Sequence, residues 1–298
     1  MKMKRPNDFT GIITALVTPF KDGKVDTKSL KKLVGLQLED GVQGFVVNGT
    51  TAESPTLTDK EVKSIFDLVR GEAAGQVPII VGTGSNNTAK TADFSKEVSK
   101  WKADAVLVVA PYYNKPPQRG MIEHYRMVAK ASSIPVILYN VPSRTVATLE
   151  PETVSELSKS DNIIGIKEAT GDMNAFEQIR ARSRKNFILL SGDDGTFVDF
   201  CERGGHGVIS VSSHLIAKDM RAFLDRAVAH DKKADAEFKA KYKEFMRLLY
   251  VEANPIPVKM ALYMTGVIAS PEMRLPLVPM HEKFHKEFKA CLKSLKLI

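Results

Sequence analysis

The feature that most constrains this chain is a repeat: a short β-branched run, a polar turn, then an amphipathic helical stretch, eight times over. The runs are Ile12–Val17, Gly44–Asn48, Pro78–Gly82, Ala105–Ala110, Pro135–Tyr139, Ile163–Lys167, Phe187–Leu190 and Gly207–Val211. Each is almost wholly apolar, the pattern of parallel strands buried on both faces. Between them, Thr58-Asp59-Lys60-Glu61 has the form of a capping box, followed by an apolar stripe of Val62, Ile65, Phe66 and Val69. Lys28–Glu39, Met121–Ala131 and Thr153–Ser158 read as helices in the same way. Eight such units predict an α/β fold, a (β/α)8 TIM barrel over residues 1–230. The alternative, a doubly wound open sheet, normally carries a glycine-rich phosphate loop. Gly82-Thr83-Gly84-Ser85-Asn86-Asn87 lacks the third glycine of that fingerprint.

The strand pattern stops near residue 230. Glu237–Tyr250, Pro257–Val267 and Phe284–Leu295 read as helices, the first two joined by Asn254-Pro255-Ile256-Pro257, so residues 231–298 form an appended C-terminal helical domain. This segment holds 13 Lys/Arg against 8 Asp/Glu, more than half of the formal charge of +8. The lysines alternate with acids at helical spacing, as in Lys232-Lys233-Ala234-Asp235-Ala236-Glu237. That marks a solvated helix face, not a nucleic-acid surface. No apolar run is long enough to span a membrane, and Met1–Asp8 is polar with no apolar stretch behind it. Cys201 and Cys291 have neither a disulfide framework nor metal-ligand spacing. A cytoplasmic protein is expected.

A barrel carries its chemistry at the C-terminal ends of its strands. Those ends here read Gly49-Thr50-Thr51-Ala52-Glu53-Ser54, Pro111-Tyr112-Tyr113-Asn114, Tyr139-Asn140-Val141-Pro142-Ser143-Arg144-Thr145, Lys167-Glu168-Ala169 and Ser191-Gly192-Asp193-Asp194. Lys167 ends an apolar strand, where partial desolvation favours a neutral amine able to attack a ketone. The other reading pairs it with an acid such as Glu168. Tyr139, on the neighbouring strand, is either packing or a proton carrier for that amine. Thr50 and Thr51 are either ordinary turn residues or a carboxylate seat, and Arg144 either lies on the surface or clamps a carboxylate. His281-Glu282-Lys283-Phe284-His285 fits the zinc-protease pattern, but no third histidine follows it, and Asp193-Asp194 alone is too few acids for a cation. No metal is expected.

Together these motifs resemble the dihydrodipicolinate synthase family, which also holds N-acetylneuraminate lyase and related aldolases. The resemblance runs from Gly11-Ile12-Ile13-Thr14-Ala15-Leu16-Val17-Thr18-Pro19-Phe20 to Asn254-Pro255-Ile256-Pro257-Val258-Lys259. It implies Lys167 as the Schiff-base lysine and Tyr139 as proton donor and acceptor. It implies Thr50 and Tyr113 as the rest of a proton relay, the tyrosine being lent by a neighbouring subunit. Thr51 and Ile209 match pyruvate-pocket positions, and Arg144 matches the residue that holds the second substrate's carboxylate. The implied reaction condenses pyruvate with L-aspartate-4-semialdehyde on the way to diaminopimelate and lysine, without metal or organic cofactor, in a homotetramer built as a dimer of dimers. Arg144 and the Tyr112-Tyr113 pair favour this over a sugar-acid aldolase such as N-acetylneuraminate lyase. Retention of Lys167, Tyr139 and both threonines speaks against a catalytically silent binding homologue. Ala52 and Val146 stand where the family usually has glycine. Asp59, Val62 and Lys90 replace groups used by lysine-inhibited members, so weak or absent lysine feedback is expected.

Overall fold

A computed structural model describes residues 9–298; the polar Met1–Asp8 stretch lies outside the described residues. Eight parallel strands close into a barrel: β1 (Gly11–Ala15), β2 (Gly44–Val47), β3 (Ile79–Gly82), β4 (Ala105–Val109), β5 (Val136–Asn140), β6 (Ile163–Glu168), β7 (Ile188–Ser191) and β8 (Gly207–Ser210). Neighbours in sequence are neighbours in the sheet, and β1 closes the ring against β8 through the register Ile13 to Ile209. The closed ring excludes the open doubly wound sheet. The expected (β/α)8 architecture is the one observed.

Two separate apolar clusters follow from the period-two alternation of the strands. Ile13, Val46, Ile80, Leu107, Ile137, Leu190 and Ile209 fill the lumen. Ile12, Phe45, Val81, Val108, Leu138, Leu189 and Val208 point outward to meet the surrounding helices. Helix starts are capped by side chains that accept orphan amide protons. Asp26 accepts from Ser29, Asn87 from Lys90 and Asp172 from Asn174 and Ala175. The Thr58–Glu61 capping box is present in both directions on the helix Asp59–Ala73.

One irregularity decides where Lys167 points. Between β5 and β6 the pairing steps from Val136–Ile163 to Ile137–Gly165, so Ile164 is an extra residue. Ile163 faces outward while Ile164 faces the lumen, and the alternation then resumes with Ile166 outward. This bulge reverses the phase of the strand end and turns Lys167 inward beside Tyr139, its register partner. Gly165 is required there, because a Cβ would lie 2.5 Å from the Ile188 carbonyl oxygen.

Beyond residue 230 come the helices Ala234–Leu249, Ile256–Met264 and His285–Ser294. They share a hydrophobic cluster with the barrel's outer layer. Phe238 packs edge-on against Phe197 at 4.9 Å and Phe223 at 5.3 Å between ring centres. Truncating such a fully buried phenylalanine typically costs about 3–5 kcal/mol. No described helix is long and apolar enough to cross a membrane.

Candidate active site

A cavity of about 210 Å³ opens at the C-terminal mouth of the barrel, and Thr50, Thr51, Tyr139, Arg144 and Lys167 all line it. Five of the residues singled out from sequence are thus brought to one wall. Lys167 is 6% exposed, and its Nζ lies 4.4 Å from the centre of the Tyr139 ring. Glu168 does not pair with it. That carboxylate faces the other side of β6, where it accepts from Asn140 Nδ2 and the Thr170 amide, both at 2.8 Å. Burial pushes the Glu168 carboxyl up from its ordinary value. Among the described residues, Lys167 therefore makes no ion pair; its polar neighbour is the aromatic ring of Tyr139. Gly192 makes room for the lysine stem, since a Cβ there would lie 2.9 Å from Lys167 Cε.

The threonines sit on a 3-10 turn, Thr50–Ala52, launched by Asn48 in a left-handed conformation (φ 58°). Asparagine adopts that conformation more readily than most residues, and Asn48 Nδ2 is tied to the Gly82 carbonyl at 2.8 Å. Glu53, also left-handed (φ 57°, ψ 40°), closes the turn. Ala52 is buried, and its carbonyl accepts from Thr18 Oγ1 at 2.9 Å. Its methyl is not on the cavity wall.

Arg144 projects from a single helical turn, Pro142–Thr145, that follows β5. Its guanidinium donates to the Asn254 carbonyl at 3.2 Å, and Asn254 Nδ2 donates to Thr51 Oγ1 at 3.0 Å. Asn254 Oδ1 is buried without a partner, and the residue lines the cavity. The helical turn ends at Val146, which is left-handed (φ 55°) and 65% exposed, a strained state for a β-branched residue.

Two predicted positions lie elsewhere. Ile209 is off the cavity wall, packed in the lumen cluster that also contains Tyr139, while Val211 lines the cavity two residues later. Tyr113 is 87% exposed with φ 74°, and within one chain it does not reach the cavity. Asn254 and Gly192 also line the cavity, and neither is a site candidate from the sequence. Only their place beside strand ends or in the Asn-Pro-Ile-Pro stretch could have drawn attention to them.

The two acids after β7 diverge. Asp193 lines the cavity and accepts from Thr196 Oγ1 at 2.7 Å. Asp194 is buried and holds the next loop by accepting from the Val211 and Ser212 amides. Among the described residues, no three His, Cys, Asp or Glu side chains converge as a metal site. His281 and His285 are not on one helix: His281 accepts from the Lys283 amide, and His285 Nε2 lies 2.9 Å from the Met280 carbonyl. A larger cavity, about 710 Å³, adjoins the first and shares Thr50, Leu107 and Tyr139 with it. Asp59 and Lys90 lie on its wall, whereas Val62 is in the core.

Residues 8–295 match the Dihydrodipicolinate synthetase family. The 4-hydroxy-tetrahydrodipicolinate synthase of Bdellovibrio bacteriovorus is 49% identical, over 97% of this chain and 98% of its own. The solved dihydrodipicolinate synthase of Thermotoga maritima is 39% identical, with a TM-score of 0.95 over 97% of this chain and 99% of that one. The chloride-inhibited dihydrodipicolinate synthase of Acinetobacter baumannii, solved in complex with pyruvate, is 39% identical, with a TM-score of 0.94 over 97% and 99%. With near-complete coverage, the same barrel and a lysine-centred mouth, this chain is a lyase of the dihydrodipicolinate synthetase family.

Proposed function

We propose that this enzyme condenses pyruvate with L-aspartate-4-semialdehyde to give 4-hydroxy-tetrahydrodipicolinate, through an imine on Lys167. The observation that carries the reading is a buried lysine amine with no carboxylate partner, 4.4 Å from a tyrosine ring, in a cavity that also holds an arginine. The amine adds to the pyruvate ketone and water leaves, giving the imine. In this reading Tyr139 moves protons in both steps, with Thr50 next in the relay and Tyr113 supplied by a second copy of the chain. The exposure of Tyr113 supports that last role. Thr51 seats the pyruvate carboxylate, and Ile209 backs the pocket from the lumen.

Loss of a methyl proton from the imine gives an enamine, whose carbon attacks the aldehyde carbon. Arg144 holds the carboxylate of that second substrate. The substrate amine then displaces Lys167 as the ring closes. The imine itself is the electron sink, so the reaction needs no metal or organic cofactor. We place the enzyme in the cytoplasm as a homotetramer, a dimer of dimers, acting on small molecules and not on nucleic acid or membrane.

In the larger cavity the Lys90 ammonium would repel the ammonium of free lysine. Of the acids on that wall, Glu97 is engaged by Lys100 and Trp101, while Asp59 and Asp93 share the cavity with Lys90. We propose weak or absent lysine feedback. Purified enzyme is expected to consume pyruvate with L-aspartate-4-semialdehyde and to retain its rate in millimolar lysine. Turnover with N-acetylmannosamine instead would point to the sugar-acid rival. Strong inhibition by lysine would overturn the regulatory reading.

A further inference from the structure

Behind the cavity, the turn that carries Thr50 and Thr51 is gripped by a segment more than two hundred residues away in sequence. Glu53 is the joint of that turn. It ends the 3-10 turn Thr50–Ala52 and starts another, Ser54–Thr56, while holding a left-handed conformation that non-glycine residues rarely adopt. Its amide donates to the Thr50 carbonyl at 3.2 Å, and its own carbonyl accepts from the Thr56 amide and hydroxyl. The side chain faces away from the cavity and is fully buried. Oε1 accepts from Lys259 Nζ at 2.6 Å, and Oε2 accepts from the Arg274 amide at 2.9 Å.

Lys259 is itself fully buried on the helix Ile256–Met264, with its amine 4.4 Å from the centre of the Phe20 ring. Arg274 covers the same ring at 4.4 Å and binds Glu61. Five residues before Lys259, Asn254 holds Thr51 Oγ1. The one segment therefore pins the turn at both ends, by a hydroxyl hydrogen bond on the cavity side and an ion pair on the core side.

We propose that Lys259 is a positioning residue for the reaction: through Glu53 it fixes the turn that sets the Thr50 and Thr51 hydroxyls against the imine lysine. The inference rests on the function proposed above for Thr50 and Thr51. Arg144 is tied to Asn254, not to Lys259, so the two substrates are affected unequally.

The test compares the full-length enzyme with Lys259→Met and with Glu53→Gln, which keeps the side chain's shape and removes its charge. Displacement of the turn by an ångström or so is expected to lower kcat about 100-fold and raise the pyruvate KM about tenfold, leaving the KM for the aldehyde within about threefold. Hydrogen–deuterium exchange is expected to speed up in peptides covering residues 50–56 and to stay unchanged in β5 and β6. A folded variant with unaltered exchange in that turn, or with unaltered kcat and pyruvate KM despite a lower melting temperature, overturns the proposal. If Lys259→Met does not fold, Glu53→Gln carries the same two outcomes. Absence of aldehyde condensation by the unmodified enzyme would sink the function instead, while the exchange arm still decides whether Lys259 holds the turn.

Discussion

Lys167 and Lys259 are both buried, and each places its amine 4.4 Å from the centre of an aromatic ring, Tyr139 in one case and Phe20 in the other. What differs is the anion. Lys259 has the Glu53 carboxylate at 2.6 Å in a site closed to solvent. Lys167 has a neighbouring acid in sequence, but the strand sends Glu168 to the opposite face, where Asn140 and the Thr170 amide satisfy it. One lysine is committed to holding two segments together. The other is left with an aromatic ring and an open cavity, which is what a nucleophilic amine requires. In the function proposed above, the same residue type is structural at Lys259 and chemical at Lys167, according to where the nearest carboxylate is aimed.

The largest expected break in this comparison is at the ring beside the free amine. Tyr139→Phe keeps the aromatic face over Lys167 and removes the hydroxyl, so kcat is expected to fall about 10²–10⁴-fold with little change in melting temperature. A fall of less than about tenfold in steady-state assays would remove Tyr139 from the proton relay. On the paired side, Lys259→Met leaves Glu53 buried without its cation and is expected to cost about 3–5 kcal/mol in denaturant unfolding. A loss below about 1 kcal/mol would show that the pair is not what holds the segments together.

A third group of buried ionisable residues is kept neutral, neither paired nor chemical. Burial lowers both His124 and His214 from an ordinary value of 6.5 to about 4. Each binds a proton in the unfolded chain before it does so in the fold. Their contribution to stability is therefore complete above pH 6.5 and is lost as the pH falls toward 4. The slope is up to about 1.4 kcal/mol per pH unit for each imidazole. Urea titrations across that range are expected to show the decline, and His124→Phe should lessen its slope. Stability that stays flat from pH 6.5 to 4.5 would contradict it.

The smallest effect is at Val146, where a β-branched residue holds φ 55° on an exposed turn. Val146→Gly relieves about 1–2 kcal/mol of strain, partly offset by the greater freedom of glycine in the unfolded chain. A net gain of up to about 1 kcal/mol is expected, readable as a small rise in Tm with unchanged kinetics.

The strands were legible in the sequence because burial on both faces leaves unbroken apolar runs, and all eight begin within a residue of the predicted start. The helix caps were legible because Thr58 and Glu61 announce themselves three residues apart. The direction of Lys167 was not. Counting by twos from Ile163 sends that lysine outward, and only the extra residue at Ile164 turns it in. A bulge leaves no mark in a run of isoleucines. Asn254, Glu53 and Lys259 were hidden for another reason: their partners are about two hundred residues distant, and nothing local distinguishes them from an ordinary loop asparagine or surface ion pair. Tyr113 stands at a strand end in the sequence, but its relay role comes only from family resemblance, and within one chain it stands apart from the cavity.

The two lysines can be set against each other in one measurement. The enzyme is incubated with pyruvate, reduced with borohydride, digested and mapped by mass spectrometry. The expected result is a reduced pyruvate adduct on the peptide containing Lys167 and none on the peptide containing Lys259. Protein that remains unlabelled, or labelled at Lys259 or surface lysines in place of Lys167, would contradict the claim that the unpaired amine at the barrel mouth is the one that captures pyruvate.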